Sequence, residues 1–225
     1  RNWKIVQYSK SMVTFLDKLP DGHMGFPGNL TVETTYKVAQ STIDIVIEAS
    51  TDKTTLCNFT NHSYFNLDGT KNIANHQLMV ECDKVLPVDE NGIPISGPIF
   101  AKDLDLDFKT GRTLNNNGKP IEVDHNFCIS NTRQNLRRNA FVTAKNISLE
   151  LFSTEPGLQV YTGKGLNSGN EKIWGKYPYR EFAGIALEPQ IWPDAPNQID
   201  FPNPLLQPGD KYKHHTRLKF SRTKI

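Results

Sequence analysis

Two residues combine a titratable side chain with surroundings suited to acid–base chemistry. His62 lies between Asn61 and Ser63 in an otherwise aromatic stretch. A partly buried imidazole with polar neighbours can be tuned around its ordinary pKa of about 6.5. Glu188 ends the apolar run of residues 183–187, directly before a proline-rich segment. A carboxylate at the end of a buried strand is partly desolvated, which raises its pKa and makes it a better base.

Asp124, within the sequence VDHNF at residues 123–127, is a third candidate. His62 and Glu188 each also have an ordinary explanation. A lone histidine is more often structural or exposed, and a glutamate at a strand end is usually solvated by water. Taken separately, none of these residues indicates a specific function.

The segments that must position these residues have the pattern of β-strands. The sequence IDIVIEA at residues 43–49 alternates with period two, so its three isoleucines share one face of a strand. Residues 147–151 repeat this pattern, and residues 158–162 and 182–187 are further strand-like runs. Turn signals such as Pro156-Gly157 separate the runs, and no long stretch keeps helical spacing. These features predict an all-β fold, an antiparallel sandwich or barrel.

One segment, residues 189–208, contains six prolines. Proline fixes φ and removes a backbone donor, so we expect an extended, preorganised loop here rather than a central strand. Such a loop costs little entropy to hold still, which suits the wall of a binding site. An ordinary proline-rich connection explains the composition equally well.

Composition excludes several classes of function. The 225 residues carry a net charge of +2, which gives no basic field for nucleic acid or for an anionic membrane. No apolar run approaches the roughly 20 residues of a membrane-spanning helix. The three cysteines are far apart and odd in number, which predicts reduced core thiols and a cytoplasmic protein. Because the chain begins with Arg1 rather than Met, we expect it to be part of a longer protein.

The three candidate residues lie in short blocks that form an ordered set along the chain. One of the two longest blocks contains His62, one shorter block contains Asp124, and another contains Glu188. The blocks are residues 25–30 (GFPGNL), 58–67 (NFTNHSYFNL), 86–90 (LPVDE), 124–127 (DHNF), 154–163 (TEPGLQVYTG), 187–190 (LEPQ), 193–197 (PDAPN) and 206–212 (LQPGDKY). In this order the blocks resemble the aldose 1-epimerase (galactose mutarotase) family, and the resemblance extends over nearly the whole chain.

The resemblance implies a large antiparallel β-sandwich, the supersandwich of the galactose mutarotases, with a shallow and open sugar site. It implies a single domain over residues 1–225 that lacks the family's N-terminal segment, which carries an arginine and a further histidine that contact the sugar. It also implies a free hexose, galactose or glucose, as ligand, with no metal and no organic cofactor. Whether the protein is a monomer or a homodimer stays open.

The resemblance also implies roles for individual residues. By position, His62 resembles the family's general acid and Glu188 its general base. The other site residues line the sugar site or hold sugar hydroxyls, and they are Ser63, Tyr64, Asp124 and Gln159. Two alternatives remain. Asp124 and Glu188 could form the carboxylate pair of a glycoside hydrolase, or the chain could be a non-catalytic carbohydrate-binding relative.

Overall fold

The computed structural model describes residues 1–171 and 178–222, whose regular secondary structure is almost entirely β-strand. The three helices among these residues are single 3₁₀ turns, at His23–Gly25, Ala101–Leu104 and Ala195–Asn197. None of the described helices is long and apolar enough to span a bilayer. The nineteen strands are β1 (Lys4–Tyr8), β2 (Met12–Leu19), β3 (Leu30–Ala39), β4 (Thr42–Thr51), β5 (Thr55–Leu56), β6 (Tyr64–Phe65), β7 (Gln77–Val80), β8 (Lys84–Val85), β9 (Ile99–Phe100), β10 (Arg112–Thr113), β11 (Asn115–Asn116), β12 (Lys119–Pro120), β13 (Asp124–Cys128), β14 (Arg137–Ala144), β15 (Ile147–Ser153), β16 (Gly157–Tyr161), β17 (Ile185–Gln190), β18 (Leu205–Leu206) and β19 (Tyr212–Arg222).

Two antiparallel sheets form most of the fold. The larger has nine strands in the order β1-β2-β3-β4-β19-β15-β14-β7-β10. The smaller has six strands in the order β6-β17-β16-β13-β8-β9. Two-stranded pairs, β11 with β12 and β18 with β5, complete the described strands. The predicted all-β antiparallel architecture is confirmed.

One hydrophobic core joins the two sheets. The large sheet contributes side chains such as Val32, Ile45 and Leu149, and the small sheet contributes Phe127 and Leu158. Along β4 the apolar and polar residues alternate between buried and more exposed positions, as the period-two pattern predicted. The outer face of the six-stranded sheet is therefore available for polar side chains.

The strand that carries Glu188 differs from the predicted one. The run at residues 182–187 was expected to form a strand, but β17 begins only at Ile185 because Phe182 adopts a left-handed backbone conformation with φ 61°. β17 then continues through Pro189, which pairs with Leu158 of β16. The expectation that the loop starts at Pro189 is therefore wrong. The strand tolerates this proline because β6, its other neighbour, pairs only with the first two residues of β17.

The cysteines agree with the expected reduced state. Cys57, Cys82 and Cys128 are all buried and none forms a disulfide. Burial raises the pKa of the Cys57 thiol to about 12, so this side chain stays protonated and packs as a small apolar group.

Candidate active site

Antiparallel register gathers polar residues from three strands on the outer face of the six-stranded sheet. Glu188 of β17 lies opposite Gln159 of β16, and Gln159 lies opposite Asn126 of β13. Two residues further along the strands, Tyr161 lies opposite Asp124. Side chains two apart on a strand share a face, so these five residues form two adjacent rows on one surface.

A short strand brings the histidine segment to the same surface. Tyr64 of β6 pairs with Ala186 of β17, which in turn pairs with Tyr161. Tyr64 therefore continues the row that contains Tyr161. The loop immediately before β6 carries His62 and Ser63, so the pairing of β6 with the start of β17 places this loop beside Glu188.

His62 and Glu188 are in direct contact. The Nε2 atom of His62 lies 3.4 Å from Oε1 of Glu188, while the side chains are 51% and 9% exposed. Burial raises the pKa of the Glu188 carboxyl, the charge of His62 opposes this rise, and the charge of Asp124 adds to it. The pair thus joins a buried, basic carboxylate to a solvent-accessible imidazole, which is an arrangement suited to proton transfer.

A second polar pair lies beside the first. Nε2 of Gln159 donates a hydrogen bond of 2.7 Å to Oδ1 of Asp124. The amide oxygen of Gln159, Oε1, is buried and has no hydrogen-bond partner among the described residues, and the same holds for Oδ1 of Asn126. Buried acceptors without partners are rare in folded proteins. Both amides therefore keep an unused hydrogen-bond acceptor at the candidate site.

Tyr64 forms one wall of the site. Its ring centroid lies 5.0 Å from that of His62, with a tilt of 35°, and 6.2 Å from that of Tyr161 in an edge-to-face arrangement. Burial raises the pKa of the Tyr64 phenol, which keeps the hydroxyl protonated. Ser63 is exposed in the same loop, and its backbone N–H donates to Oδ1 of Asn61.

The loop that carries His62 is anchored at two points. Asn58 accepts a hydrogen bond of 2.9 Å from the backbone N–H of Ile191 and donates one of 3.2 Å to the Ile191 carbonyl. At Phe59, the backbone N–H donates to the hydroxyl of Tyr212 and the carbonyl accepts a bond of 2.9 Å from Nδ1 of His214. Burial lowers the pKa of His214, so its imidazole serves here as a neutral donor.

Three residues of this site were not singled out from the sequence as functional. Asn126 and Tyr161 lie two residues beyond Asp124 and Gln159, so strand periodicity would have placed them on the same face. Asn58 had no local signal, because its partner Ile191 is 133 positions away. Among the six predicted residues, His62 contacts Glu188 and Tyr64, Gln159 contacts Asp124, and Ser63 lies next to His62.

A cavity of about 400 Å³ lies elsewhere, between the 3₁₀ turn at His23–Gly25 and the proline-rich segment. Its walls are mainly apolar, with Phe26, Leu56 and Trp192 among them. Pro193 and Pro196 also line it, so the proline-rich loop does form a cavity wall. The acid–base pair nevertheless lies on the sheet face, and its chemistry makes that face the better candidate for catalysis.

Comparisons with known proteins agree with the fold. A family model described as aldose 1-epimerase matches residues 1–219. Galactose mutarotase of Mus musculus is 37% identical, with 93% of this chain and 63% of the relative aligned. Aldose 1-epimerase of Escherichia coli (strain K12) is 34% identical, with 98% of this chain and 67% of the relative aligned.

Two solved structures of similar proteins superimpose on this fold over almost the whole chain. A GalM/aldose epimerase homologue from C. elegans superimposes with a TM-score of 0.90 at 27% identity, covering 100% of this chain and 70% of that structure. Galactose 1-epimerase from Lactobacillus acidophilus NCFM gives a TM-score of 0.82 at 25% identity, covering 99% and 67%. The chain spans about 63% of the length of the mouse relative. Since the family model matches nearly all of the sequence, the chain belongs to the aldose 1-epimerase family.

Proposed function

We propose that this chain carries the catalytic pair of an aldose 1-epimerase, which interconverts the α and β anomers of a free hexose such as galactose or glucose. His62 is the general acid and Glu188 the general base. The observation that carries the proposal is the 3.4 Å contact between their side chains on a sheet face lined with hydrogen-bonding groups. The names of the relatives, galactose mutarotase and aldose 1-epimerase, support the same reaction.

The geometry suits the opening of a hemiacetal. Glu188 takes the proton of the anomeric hydroxyl, His62 donates a proton to the ring oxygen, and the bond between C1 and the ring oxygen breaks. Both oxygens are attached to C1, so the acid and the base must lie close together. Rotation about the C1–C2 bond then exposes the other face of the aldehyde, and reclosure with both proton transfers reversed gives the other anomer.

The raised pKa of Glu188 favours proton transfer both when the sugar ring opens and when it closes again. A carboxylate whose pKa is raised by burial accepts a proton more readily than an exposed one. The same group must return the proton during reclosure, which is easiest when its pKa lies close to that of its partner. A mixed carboxylate and imidazole pair thus divides the acid and base roles without a further reactant.

The neighbouring polar groups supply orientation. We assign Asp124 and Gln159 to the binding of sugar hydroxyls, because the bond between them fixes both side chains on the sheet face beside Glu188. Tyr64 packs against His62 and limits the directions from which a ring can reach it. Ser63, exposed in the same loop, completes the rim of the site.

Polarimetry on freshly dissolved α-D-galactose and α-D-glucose tests the proposal. We expect the wild-type chain to accelerate mutarotation, and we expect Glu188→Gln and His62→Ala each to lower the rate at least ~10²-fold, because general acid–base catalysis contributes about that much per group. Glu90→Gln is the matched control, since Glu90 is an exposed carboxylate in a turn. It should keep the wild-type rate.

Three outcomes would contradict parts of this proposal. Undiminished activity in either variant would remove that residue from its assigned role. Sugar binding without any mutarotation would favour the non-catalytic carbohydrate-binding alternative. Release of an aryl group from an aryl galactoside would favour a hydrolase with Asp124 and Glu188 as its carboxylates.

A further inference from the structure

An ion pair outside the candidate active site includes a fully buried carboxylate. Nε of Arg133 donates a hydrogen bond of 2.8 Å to Oε1 of Glu155, and the two side chains are 34% and 0% exposed. The second carboxylate oxygen of Glu155 is also buried and has no hydrogen-bond partner among the described residues. A buried charge loses its hydration, so such a pair contributes little to stability and often can be replaced by apolar side chains without loss. Its presence therefore calls for a role other than stability.

Arg133 is connected to the loop before β6 through Tyr212. The guanidinium carbon of Arg133 lies 4.5 Å from the centroid of the Tyr212 ring. The hydroxyl of Tyr212 accepts a hydrogen bond of 3.1 Å from the backbone N–H of Phe59 and donates one of 3.3 Å to the Phe59 carbonyl. A guanidinium held by a carboxylate keeps a fixed place over the ring. The ion pair therefore fixes the ring whose hydroxyl holds Phe59.

Glu155 is connected to the same loop by a second route. Its backbone N–H donates a hydrogen bond of 3.2 Å to Oγ of Ser153, which lies 3.4 Å from Nε2 of His214. Nδ1 of His214 donates a hydrogen bond of 2.9 Å to the carbonyl of Phe59. Both routes end at Phe59, three residues before His62. The contacts of the ion pair thus converge on one backbone position in the loop that carries the proposed acid.

We propose that Arg133 and Glu155 are positioning residues for His62. Their ion pair holds Tyr212, and through it the backbone at Phe59, so that the imidazole keeps its place beside the proposed base. This role accounts for two charges at a place where apolar side chains would be at least as stable. The inference rests on the proposed epimerase function, because the position of the acid affects the rate only if the acid takes part in catalysis.

Removal of one charge or of both tests this role. Arg133→Met and Glu155→Leu each leave a charge without its partner, so each should lower the melting temperature. The combination of the two removes both charges at similar volume and should bring the melting temperature back near the wild-type value. We expect kcat for galactose in the combined variant to stay about tenfold below wild type with KM within about twofold, because misplacement of a catalytic group costs up to ~10²-fold. Recovery of kcat together with the melting temperature would overturn the proposal.

A further substitution tests the route through Tyr212. Tyr212→Phe keeps the ring near Arg133 and removes the hydroxyl that holds Phe59, so it should also lower kcat. Adding it to the combined Arg133→Met and Glu155→Leu variant should lower kcat by no more than about threefold further, because residues that act through one group are not additive. Losses that multiply in full would overturn this route.

Arg112 provides the matched control. Its guanidinium donates hydrogen bonds of 2.9 and 3.0 Å to the carboxylate of Asp105 and lies 5.8 Å from the centroid of the Phe108 ring. This arginine thus combines an ion pair with an aromatic ring, as Arg133 does, but its partners lie outside the loop that carries the proposed acid. Arg112→Met should keep kcat within about twofold of wild type, as expected for an exposed pair.

A spectroscopic readout reports the position of His62 without turnover. The ring centroids of His62 and Tyr64 are 5.0 Å apart, so nuclear Overhauser effects should connect the two rings in the wild-type chain. We expect these cross-peaks to weaken in the combined Arg133→Met and Glu155→Leu variant. Wild-type cross-peaks together with wild-type kcat in that variant would overturn the positioning role and leave the epimerase function intact. Weakened cross-peaks in a protein whose wild type shows no mutarotation would support the positioning role and overturn the catalytic proposal.

Discussion

The carboxyl group of Glu188 is almost completely buried, and its surroundings determine its pKa. Burial raises the pKa, contact with His62 lowers it, and the nearby charge of Asp124 raises it. As the proposed base, Glu188 must be ionised to accept a proton, so activity should fall as the pH drops through this raised pKa. The acid limb of the pH–rate profile should therefore lie above the ordinary glutamate value of about 4.3.

Replacing Asp124 with asparagine should shift this acid limb. Asp124→Asn removes a negative charge that disfavours ionisation of Glu188, so the pKa of Glu188 should fall and the limb should move to lower pH. The change keeps an oxygen for the hydrogen bond from Gln159. The measurement is kcat/KM for galactose between about pH 4 and 8, which reports the pKa values of the free enzyme.

The control for this shift is Asp200→Asn, which neutralises an exposed carboxylate outside the site. It should leave the profile in place, because exposed charges are screened by solvent and salt. If the acid limb of the Asp124→Asn profile stays at the wild-type pH or moves to higher pH, Asp124 does not act on the ionisation of Glu188 as proposed.

At the scale of secondary-structure elements, the loop before β6 must be held in a fixed position relative to β17, because the loop carries His62 and the strand carries Glu188. Asn58 ties this loop to Ile191, just past the end of β17, by one accepted and one donated hydrogen bond. Because His62 lies four residues after Asn58 and Glu188 lies three residues before Ile191, the Asn58 side chain helps to set the position of His62 relative to Glu188.

Removal of this clamp should affect catalysis more than binding. Asn58→Ala loses both hydrogen bonds, worth about 1–2 kcal/mol together, which corresponds to roughly 5- to 30-fold if the loss falls on the transition state. We expect kcat to fall by that factor while KM changes little, because the groups assigned to hydroxyl binding lie on β13 and β16. Steady-state polarimetry with galactose separates the two parameters.

Two further variants test whether Asn58 acts by position. Asn58→Asp retains the acceptor for the Ile191 N–H and should recover part of the lost kcat. Asn197→Ala removes an exposed asparagine from the proline-rich segment and should have no effect. Equal rises in KM and falls in kcat for Asn58→Ala, with a lower melting temperature, would indicate general loosening instead.

At the scale of the whole molecule, the site depends on a single core that holds the two sheets together. Phe127 of β13 is fully buried, contacts the ring of Phe108 at 6.1 Å between centroids, and belongs to the same cluster as residues of the nine-stranded sheet. Its neighbours on β13, Asn126 and Asp124, face or border the candidate site. The packing of Phe127 in the core therefore fixes the position of these polar residues on the opposite face of the sheet.

Phe127→Ala should destabilise the whole fold. Truncation of a buried phenylalanine costs about 3–5 kcal/mol, from lost burial and from the cavity that remains. Urea unfolding followed by fluorescence measures the change in the free energy of unfolding. Phe100→Ala, at a ring that is 49% exposed, is the control and should cost less than about 1 kcal/mol. A small effect at Phe127 would mean that the two sheets do not share one cooperative core.

The sequence by itself determined the local features of this protein. Period-two alternation identified β4 and β15 and their buried faces, because side chains on a strand alternate between two faces whatever the rest of the fold does. The motif blocks singled out His62, Asp124, Gln159 and Glu188 as a set. The exact start of β17 was missed because the left-handed conformation at Phe182 is imposed by its surroundings and has no local signal.

Only the tertiary structure decided which of these residues meet. Contact between His62 and Glu188 requires β6 to pair with the start of β17, and the sequence contains no local signal for that register. The same holds for the hydrogen bonds between Asn58 and Ile191. Pairing between distant strands depends on burying both sheets against one core, so it emerges only from the packing of the whole chain.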